Sequence, residues 1–189
     1  MKYDIILAGV GGQGILSIAA VIGEAALEDG LYMKQTEVHG MSQRGGDVQS
    51  HLRISDKPVA SDLIPLGTAD IIISLEPLEA LRYLPYLKKD GWIVANSEPF
   101  ENIPNYPELE QIKKVYDSLP NKIIADMEQI AKDLGASRSS NMVLLGAASP
   151  LIPIDFFKLE NGIRHIFGKK GETIVEMNLK ALSAGAGKG

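Results

Sequence analysis

The sequence predicts an α/β fold: a doubly wound, mostly parallel, Rossmann-like sheet with helices on both faces. Short apolar runs typical of buried strands alternate along the chain with segments of helical periodicity. A glycine-rich turn joins the first apolar run to the first helical segment. The 189 residues, 45% of them hydrophobic and 23% charged, have the composition of one globular domain with a substantial core. We therefore expect a single domain over residues 1–183 and a flexible tail over residues 184–189.

The first segments predict the start of the sheet. An apolar run predicts a buried strand over residues 3–8, and a stretch rich in Ala, Leu and Ile predicts a largely covered helix over residues 15–28. A second strand is predicted over residues 31–38, so strand, glycine turn, helix and strand together suggest one βαβ unit.

Residues 47–54 predict a third strand because apolar and polar side chains alternate along it. We expect the face with Leu52 and Ile54 to pack against the core. The opposite face, which includes His51 and Arg53, is expected to point towards solvent.

The rest of the chain alternates in the same way. Further strands are predicted over residues 69–75, 91–96 and 122–125, and further helices from Pro77 to near Pro85 and over residues 127–134, 141–148, 153–167 and 172–182. Asp126 is a predicted N-cap. Four prolines lie in residues 97–120, where we expect irregular chain with one short helix near residues 108–116.

Composition excludes several classes of chemistry. Without cysteine, the chain cannot supply thiolate ligands for an iron–sulfur cluster, a disulfide or a thiol nucleophile. A net charge of −5 with dispersed basic residues does not favour nucleic acid or an anionic membrane as a partner. We expect no membrane span, no signal peptide and a cytoplasmic location. No histidine pair has metal-ligand spacing and no nucleophile lies in a recognisable elbow, so we assign no catalytic residue and no metal site.

The glycine turn has the spacing of a dinucleotide-binding fingerprint. Gly9, Gly11, Gly12 and Gly14 follow the first strand and open the first helix, where backbone N–H groups can meet a phosphate. The alternative is structural, because the same glycines permit a tight turn and close packing of helix on strand. An NAD site would also need an acidic residue at the end of the second strand, for which Glu37 is the candidate.

The segment after the second strand groups side chains that suit an anion. Ser42, Gln43, Arg44, Gly45 and Gly46 combine a hydroxyl, an amide, a guanidinium and a flexible backbone, which suit phosphate or carboxylate recognition. The alternative is a solvated loop whose glycines only satisfy turn geometry.

These motifs together resemble the γ-type subunits of the 2-oxoacid:ferredoxin oxidoreductases, and within them the branch of the indolepyruvate:ferredoxin oxidoreductase β subunit. The resemblance is carried by the segments GVGGQG (residues 9–14), EVHGMSQRGG (37–46), SHLR (50–53), EPLEALRYLPYL (76–87) and NMVLLGA (141–147).

The resemblance implies a cytoplasmic hetero-oligomer that decarboxylates 2-oxoacids on thiamine diphosphate, passes electrons through iron–sulfur clusters to ferredoxin, and transfers the acyl group to coenzyme A. This chain has neither cysteine nor a Gly-Asp-Gly signature. We therefore expect the catalytic partner subunit to hold thiamine diphosphate, magnesium and the clusters. The chain itself is expected to hold no cofactor alone, to be inactive in isolation, and to share the coenzyme A site.

Within that family the expected ligands of coenzyme A are the glycine turn and the following loop. Arg44, the backbone of Gly45 and Gly46, and Arg53 are expected to face the phosphates, with Ser42 and Gln43 forming hydrogen bonds. An aryl pyruvate such as indolepyruvate is the expected substrate, and the γ subunit of a pyruvate or 2-oxoglutarate oxidoreductase is the alternative. From the residues alone, a free-standing NAD(P)- or nucleotide-binding Rossmann protein is also open.

Overall fold

The computed structural model describes residues 1–39, 45–101 and 103–188, and in these ranges the strands form one mixed sheet. The strands are β1 (Lys2–Val10), β2 (Tyr32–His39), β3 (Asp47–Ser55), β4 (Ala69–Ser74), β5 (Leu87–Asn96) and β6 (Lys122–Ala125). Their order across the sheet is β2-β3-β1-β4-β5-β6. Only β3 runs antiparallel to its two neighbours, so the other described strands share one direction and the predicted mostly parallel α/β fold is confirmed.

The predicted βαβ unit is wrong in one respect, because β3 lies between β1 and β2. The chain reverses after β2 and returns as β3, which pairs with β2 on one side and with β1 on the other. Leu52 and Ile54 of β3 are buried, whereas β2 carries Lys34, Gln35 and Glu37. The strand that is buried along most of its length therefore takes the central position, and the more exposed strand forms the edge.

Helices cover both faces of the sheet. They are α1 (Ile15–Glu28), α2 (Pro77–Arg82), α3 (Leu109–Ser118), α4 (Met127–Asp133), α5 (Ser140–Ala148), α6 (Phe156–Phe167) and α7 (Glu172–Ala186). On one face, Ile5 and Leu7 of β1 pack in a core with α1 and the helices from α4 to α7. On the other face, Ile6 and Ala8 pack with α2 and α3. The alternation of β1 side chains thus divides the apolar residues into two cores.

Local signals set the helix ends. The carboxylate of Asp126 accepts a hydrogen bond from the N–H of Gln129 at 2.7 Å, which confirms the predicted cap of α4. Helix α2 begins at Pro77 and ends at Arg82, and Pro85 lies in a following 3₁₀ turn.

None of the helices in the described ranges has both the length and the apolar character needed to cross a membrane.

The polar face of β3 is buried, contrary to expectation. His51 is 2% exposed and Arg53 is 7% exposed, because the segment between β3 and β4 covers them. The Nδ1 of His51 accepts a hydrogen bond from the N–H of Ile64 at 2.9 Å. Partners of this kind allow polar side chains to be buried without loss of hydrogen bonding.

The predicted tail is partly helical. Helix α7 extends to Ala186, so residues 184–186 belong to it. Gly185 of α7 lies against the backbone of Val143 in α5, and Gly146 of α5 lies against the backbone of Leu182. Because neither glycine has a side chain, the two helices approach closely enough for α5 to hold the end of α7.

Candidate functional site

The glycine turn after β1 is fixed by its backbone geometry and by one side chain. Gly12 and Gly14 have φ values of 102° and 81°, which only glycine adopts without strain. Gln13 accepts a hydrogen bond from the N–H of Val10 at 2.8 Å and donates one to the carbonyl of Leu75 at 3.1 Å. The turn is therefore tied both to β1 and to the end of β4.

The turn is also joined to the start of β3. The N–H of Gly11 donates to the carbonyl of Gly46 at 2.8 Å, and the N–H of Gly45 donates to the carbonyl of Gly11 at 3.4 Å. Thus the structure brings Gly11, Gly45 and Gly46 together. Ser42, Gln43 and Arg44 lie outside the described residues.

Close packing explains two of the predicted glycines. A Cβ on Gly9 would lie 2.9 Å from Oε1 of Gln13 and 2.9 Å from a side-chain carbon of Ile15. A Cβ on Gly14 would lie 2.7 Å from Nδ2 of Asn141. Gly9 and Gly14 therefore have a structural role in close packing, which does not depend on what the turn binds.

A cleft of about 490 Å³ opens beside the glycine turn, between the starts of α1 and α5 and the side of α7. Its size is in the range of ordinary ligand sites. Polar groups dominate one part of it, and apolar side chains of α6 and α7 close the other. The lining residues are Gly12, Gln13, Gly14, Ser17, Ser137, Arg138, Ser139, Asn141, Phe167, Lys170, Ile174, Met177 and Asn178.

The electrostatics of this cleft favour an anion. Arg138 and Lys170 line it, and the described residues supply no acidic side chain to its lining. Helices α1 and α5 begin there without a side-chain cap and without an acidic residue in their first turns. Unpaired N–H groups at such helix starts carry partial positive charge. Cationic side chains and helix ends therefore converge on one space.

The sequence motifs located only part of this cleft. Gly12 and Gly14 line it, but Gly9 and Gly11 do not. Arg138 and Lys170 were missed because neither lies in a recognisable motif. Asn141 offered a signal, since it opens the NMVLLGA segment, and its Nδ2 donates to the carbonyl of Gly14 at 3.1 Å.

Arg53 lies away from the glycine turn. It is six residues beyond Asp47 along β3, or about 20 Å at roughly 3.4 Å per residue. Its Nε and Nη2 donate to the Asp4 carboxylate at 2.9 and 3.1 Å, and Nη1 donates to the carbonyls of Ser61 and Leu63. This geometry gives Arg53 a structural role and argues against the expected contact with phosphate.

Glu37 is also separated from the turn. It lies on the edge strand β2, with β3 between it and β1. In a dinucleotide fold the acidic residue ends the strand next to β1. Here β1 and β2 are about 10 Å apart, twice the usual spacing between neighbouring strands, because β3 lies between them. Glu37 is therefore not placed to bind the ribose, as the NAD alternative requires.

A second polar cluster lies on the other side of the glycine turn, where β3 meets α2. The phenol of Tyr83 donates to the two carboxylate oxygens of Asp47 at 2.9 and 3.1 Å. Arg82 pairs with the buried Glu79 through Nε at 2.8 Å and Nη2 at 3.2 Å. Burial raises the pKa of Glu79, Arg82 opposes this rise, and the nearby Asp47 carboxylate adds to it.

The carboxylate of Glu76 begins the same helix. It is 1% exposed and accepts a hydrogen bond from the N–H of Glu79 at 2.7 Å, which caps α2. It also accepts hydrogen bonds from the Tyr106 phenol and from the N–H of Phe100. The EPLEALRYLPYL segment thus ties the region after β5 to the end of β4.

Among the described residues, no cluster of histidine and carboxylate side chains has the arrangement of a metal site.

Comparison with known sequences gives a consistent family match. Residues 4–187 match the profile of the pyruvate ferredoxin/flavodoxin oxidoreductase family. The chain is 40% identical over 194 residues to the indolepyruvate oxidoreductase subunit IorB of Pyrococcus horikoshii, covering 97% of this chain and 94% of that protein.

Solved structures extend this match to the fold. The γ subunit of a keto/oxoacid ferredoxin oxidoreductase from Geobacter sulfurreducens is 28% identical with a TM-score of 0.75, covering 100% of this chain and 96% of that one. A 2-oxoglutarate:ferredoxin oxidoreductase from Magnetococcus marinus, with 2-oxoglutarate, coenzyme A and succinyl-CoA bound, is 25% identical with a TM-score of 0.78. The match covers 98% of this chain and 30% of that longer one.

Proposed function

Because the chain belongs to the pyruvate ferredoxin/flavodoxin oxidoreductase family, we propose that it is the γ-type subunit of an indolepyruvate:ferredoxin oxidoreductase. In that complex an aryl pyruvate, coenzyme A and oxidised ferredoxin are converted to an acyl-CoA, carbon dioxide and reduced ferredoxin. The contribution of this subunit is to bind part of coenzyme A and to complete the assembly.

The substrate assignment rests on relatedness along the whole chain. Identity to the indolepyruvate subunit is 40% over 97% of this chain, whereas identity to the 2-oxoglutarate synthase subunit KorC of Methanothermobacter marburgensis is 32% over 78% of this chain. The difference favours an aryl pyruvate over 2-oxoglutarate. The 2-oxoacid itself is proposed to bind mainly to the catalytic partner.

The observation that carries the coenzyme A assignment is the cationic cleft. Arg138, Lys170 and two helix starts face one space of about 490 Å³ beside the glycine turn. Phosphate groups are well matched by guanidinium, ammonium and backbone N–H donors. Coenzyme A carries such phosphates, and the structural relative from Magnetococcus marinus was solved with coenzyme A bound. Arg44, which directly precedes Gly45, remains a proposed phosphate ligand from the sequence.

The redox cofactors are assigned to the partner. The chain contains no cysteine to ligate an iron–sulfur cluster and no Gly-Asp-Gly segment for the magnesium of thiamine diphosphate. Its residues therefore do not fit these groups. We assign decarboxylation and electron transfer to the catalytic subunit.

The proposal is tested on the assembled complex. The chain is co-expressed with the catalytic subunit of the same organism, and 2-oxoacid-dependent ferredoxin reduction is measured with indolepyruvate, pyruvate and 2-oxoglutarate. We expect the highest kcat/KM for indolepyruvate, and no activity when this chain is omitted. A higher kcat/KM for pyruvate or 2-oxoglutarate would assign the chain to another branch of the family.

The coenzyme A cleft is tested by Arg138→Ala and Lys170→Ala. A charge-assisted hydrogen bond contributes about 1.5–3 kcal/mol, so each change should raise the KM for coenzyme A about tenfold or more. The KM for indolepyruvate should not change. Lys180→Ala is the matched control, because Lys180 is exposed on α7 outside the cleft. If Arg138→Ala and Lys170→Ala have the same KM for coenzyme A as Lys180→Ala, the cleft is not the coenzyme A site.

The dinucleotide alternative is tested by calorimetry. Binding of a nicotinamide dinucleotide by the purified chain would support that alternative.

A further inference from the structure

The cluster between β3 and α2 is connected to the glycine turn through the backbone. Val10 and Asp47 are the last paired residues of the β1–β3 ladder. The next residues, Gly11 and Gly46, continue the contact through the hydrogen bond of 2.8 Å. A displacement of Asp47 is therefore transmitted directly to Gly46 and to Gly11 of the glycine turn.

The side chain of Asp47 is held from α2. The Tyr83 phenol, only 5% exposed, donates to the carboxylate of Asp47. Glu79, 4% exposed, interacts with the same carboxylate from one turn earlier on α2. Helix α2 is itself fixed by the Glu76 cap and by the hydrogen bond of the Tyr116 phenol to the Pro77 carbonyl at 2.8 Å. The cluster thus joins helix α2 to the segment that contacts the glycine turn.

We propose that Asp47, Tyr83 and Glu79 form a positioning device for coenzyme A: they hold Gly46 against Gly11 and so fix the glycine turn, whose Gly12 and Gly14 line the cationic cleft. None of the three lines the cationic cleft. They act on the ligand through the backbone and are positioning residues. The inference rests on the proposed coenzyme A site and adds a residue set that determines affinity there.

The protonation state of Glu79 is expected to act on the cluster, because Glu79 lies beside the Asp47 carboxylate. When Glu79 is protonated, it can donate to the Asp47 carboxylate and the pair is stable. When it ionises, two neighbouring carboxylates repel each other. The other groups that face Glu79 are Arg82, which favours its ionised form, the Tyr83 phenol from the same helix, and the Tyr106 phenol beyond Glu76.

The sign of the resulting pH dependence follows from these contacts. Burial raises the pKa of Glu79, so its proton is lost at a higher pH than in an exposed glutamate. Above that pKa the Asp47 contact weakens and Gly46 is held less firmly. The KM for coenzyme A should therefore rise as the pH increases through the pKa of Glu79.

The experiment measures the KM for coenzyme A and kcat in the assembled oxidoreductase from pH 4.5, the ordinary pKa value for glutamate, to pH 8.5. We expect Tyr83→Phe to raise the KM for coenzyme A about fivefold while kcat at saturating coenzyme A changes less than twofold. Glu79→Gln carries an amide that mimics the protonated carboxyl, so we expect a KM close to the low-pH value across the range. Glu110→Gln is the control, because Glu110 is exposed on α3 and should leave the wild-type profile unchanged.

Three outcomes separate this inference from the proposed function. If Arg138→Ala raises the KM for coenzyme A but Tyr83→Phe and Glu79→Gln match the wild type, the positioning role is overturned and the coenzyme A site stands. If Arg138→Ala also has no effect, both proposals fail. If Tyr83→Phe raises the KM values for coenzyme A and indolepyruvate equally, and Glu79→Gln keeps the wild-type pH profile, the cluster only stabilises the fold and the inference is refuted.

Discussion

At the scale of single residues, the ion pair between Asp4 and Arg53 is the strongest test of how β1 and β3 are held together. Both side chains are buried, and the guanidinium makes four hydrogen bonds. Removing one partner of a buried pair leaves an uncompensated charge and costs about 3–5 kcal/mol. We therefore expect Asp4→Asn to lower the free energy of unfolding by about 3 kcal/mol in urea titration.

The matched control for that change is Asp56→Asn. Asp56 also pairs with a cation, the N-terminal ammonium, but its side chain is 49% exposed. Exposed pairs contribute little, so the control should lower the free energy of unfolding far less than Asp4→Asn does. Similar losses in both variants would show that burial does not determine the strength of the Asp4–Arg53 pair.

Residue types predicted the glycine turn better than they predicted the buried polar side chains. The conformations of Gly12 and Gly14 follow from a local turn, and local spacing reveals a turn. The partners of Arg53, by contrast, are Asp4 and two carbonyls of a later segment. Alternation along β3 predicts only that Arg53 and Asp47 share a face, and the covering segment that buries Arg53 is a tertiary contact.

At the scale of elements, the contact between α5 and α7 depends on two glycines. A Cβ on Gly146 would lie 2.0 Å from the carbonyl oxygen of Leu182, and a Cβ on Gly185 would lie 1.9 Å from that of Val143. Backbone atoms cannot rotate away, so the helices would have to separate. Overpacking typically costs 1–3 kcal/mol, and we expect Gly146→Ala to lower the free energy of unfolding by about 3 kcal/mol.

Gly168→Ala controls for the general effect of replacing glycine in this part of the chain. Gly168 ends α6 with φ −53°, and a Cβ there would meet no atom within 4 Å. This change should leave stability unchanged or raise it by roughly 0.4–1 kcal/mol, because alanine has fewer unfolded conformations. A loss in Gly168→Ala equal to that in Gly146→Ala would contradict the packing argument.

Element boundaries were predicted well where caps and apolar periodicity agree. Helix α1 and strand β6 have the predicted bounds, and the short helix in the proline-rich region is α3. Strand β5 begins at Leu87, four residues before the prediction, because pairing with β4 extends it through polar residues. There Lys88 forms an ion pair with Asp70 of β4 at 2.7 Å, an interaction between strands that periodicity within one strand does not reveal.

At the scale of the whole molecule, the strand order and the cleft could not be predicted from the sequence. The pattern of β3 predicts a strand but not its insertion between β1 and β2, since either strand of a hairpin can dock on the sheet. The cleft brings Asn141 to Gly14 across 127 positions of sequence. The chain order of the motifs was enough to indicate the family, whereas the cationic residues that complete the cleft required the fold.

Folding also links the stability of the molecule to pH through His51. Burial, together with the nearby Arg53 guanidinium, lowers the pKa of His51, and the carboxylates of Asp4 and Asp62 oppose this. The neutral ring accepts the N–H of Ile64 at Nδ1, which a proton there would prevent. Between the folded pKa and the unfolded value of about 6.5, the unfolded chain binds more protons than the folded one. The free energy of unfolding should therefore fall as the pH decreases from about 6.5.

His51→Asn isolates this contribution, because Oδ1 of asparagine can accept the Ile64 N–H and does not titrate. Glu79 contributes with the opposite sign, since its raised pKa gives stability below about pH 4.5 that is lost as the pH rises through the folded value. The contribution of His51 must therefore be obtained by comparing the pH dependence of the free energy of unfolding between variants, not from the wild-type profile alone. From pH 5 to 7, we expect wild-type stability to rise more steeply than that of His51→Asn, by at most about 1.4 kcal/mol per pH unit. The control is His165→Asn, because the side chain of His165 is 71% exposed, and this variant should keep the wild-type slope. If the stability profiles of the wild type and His51→Asn run parallel, the buried ring does not couple folding to proton binding.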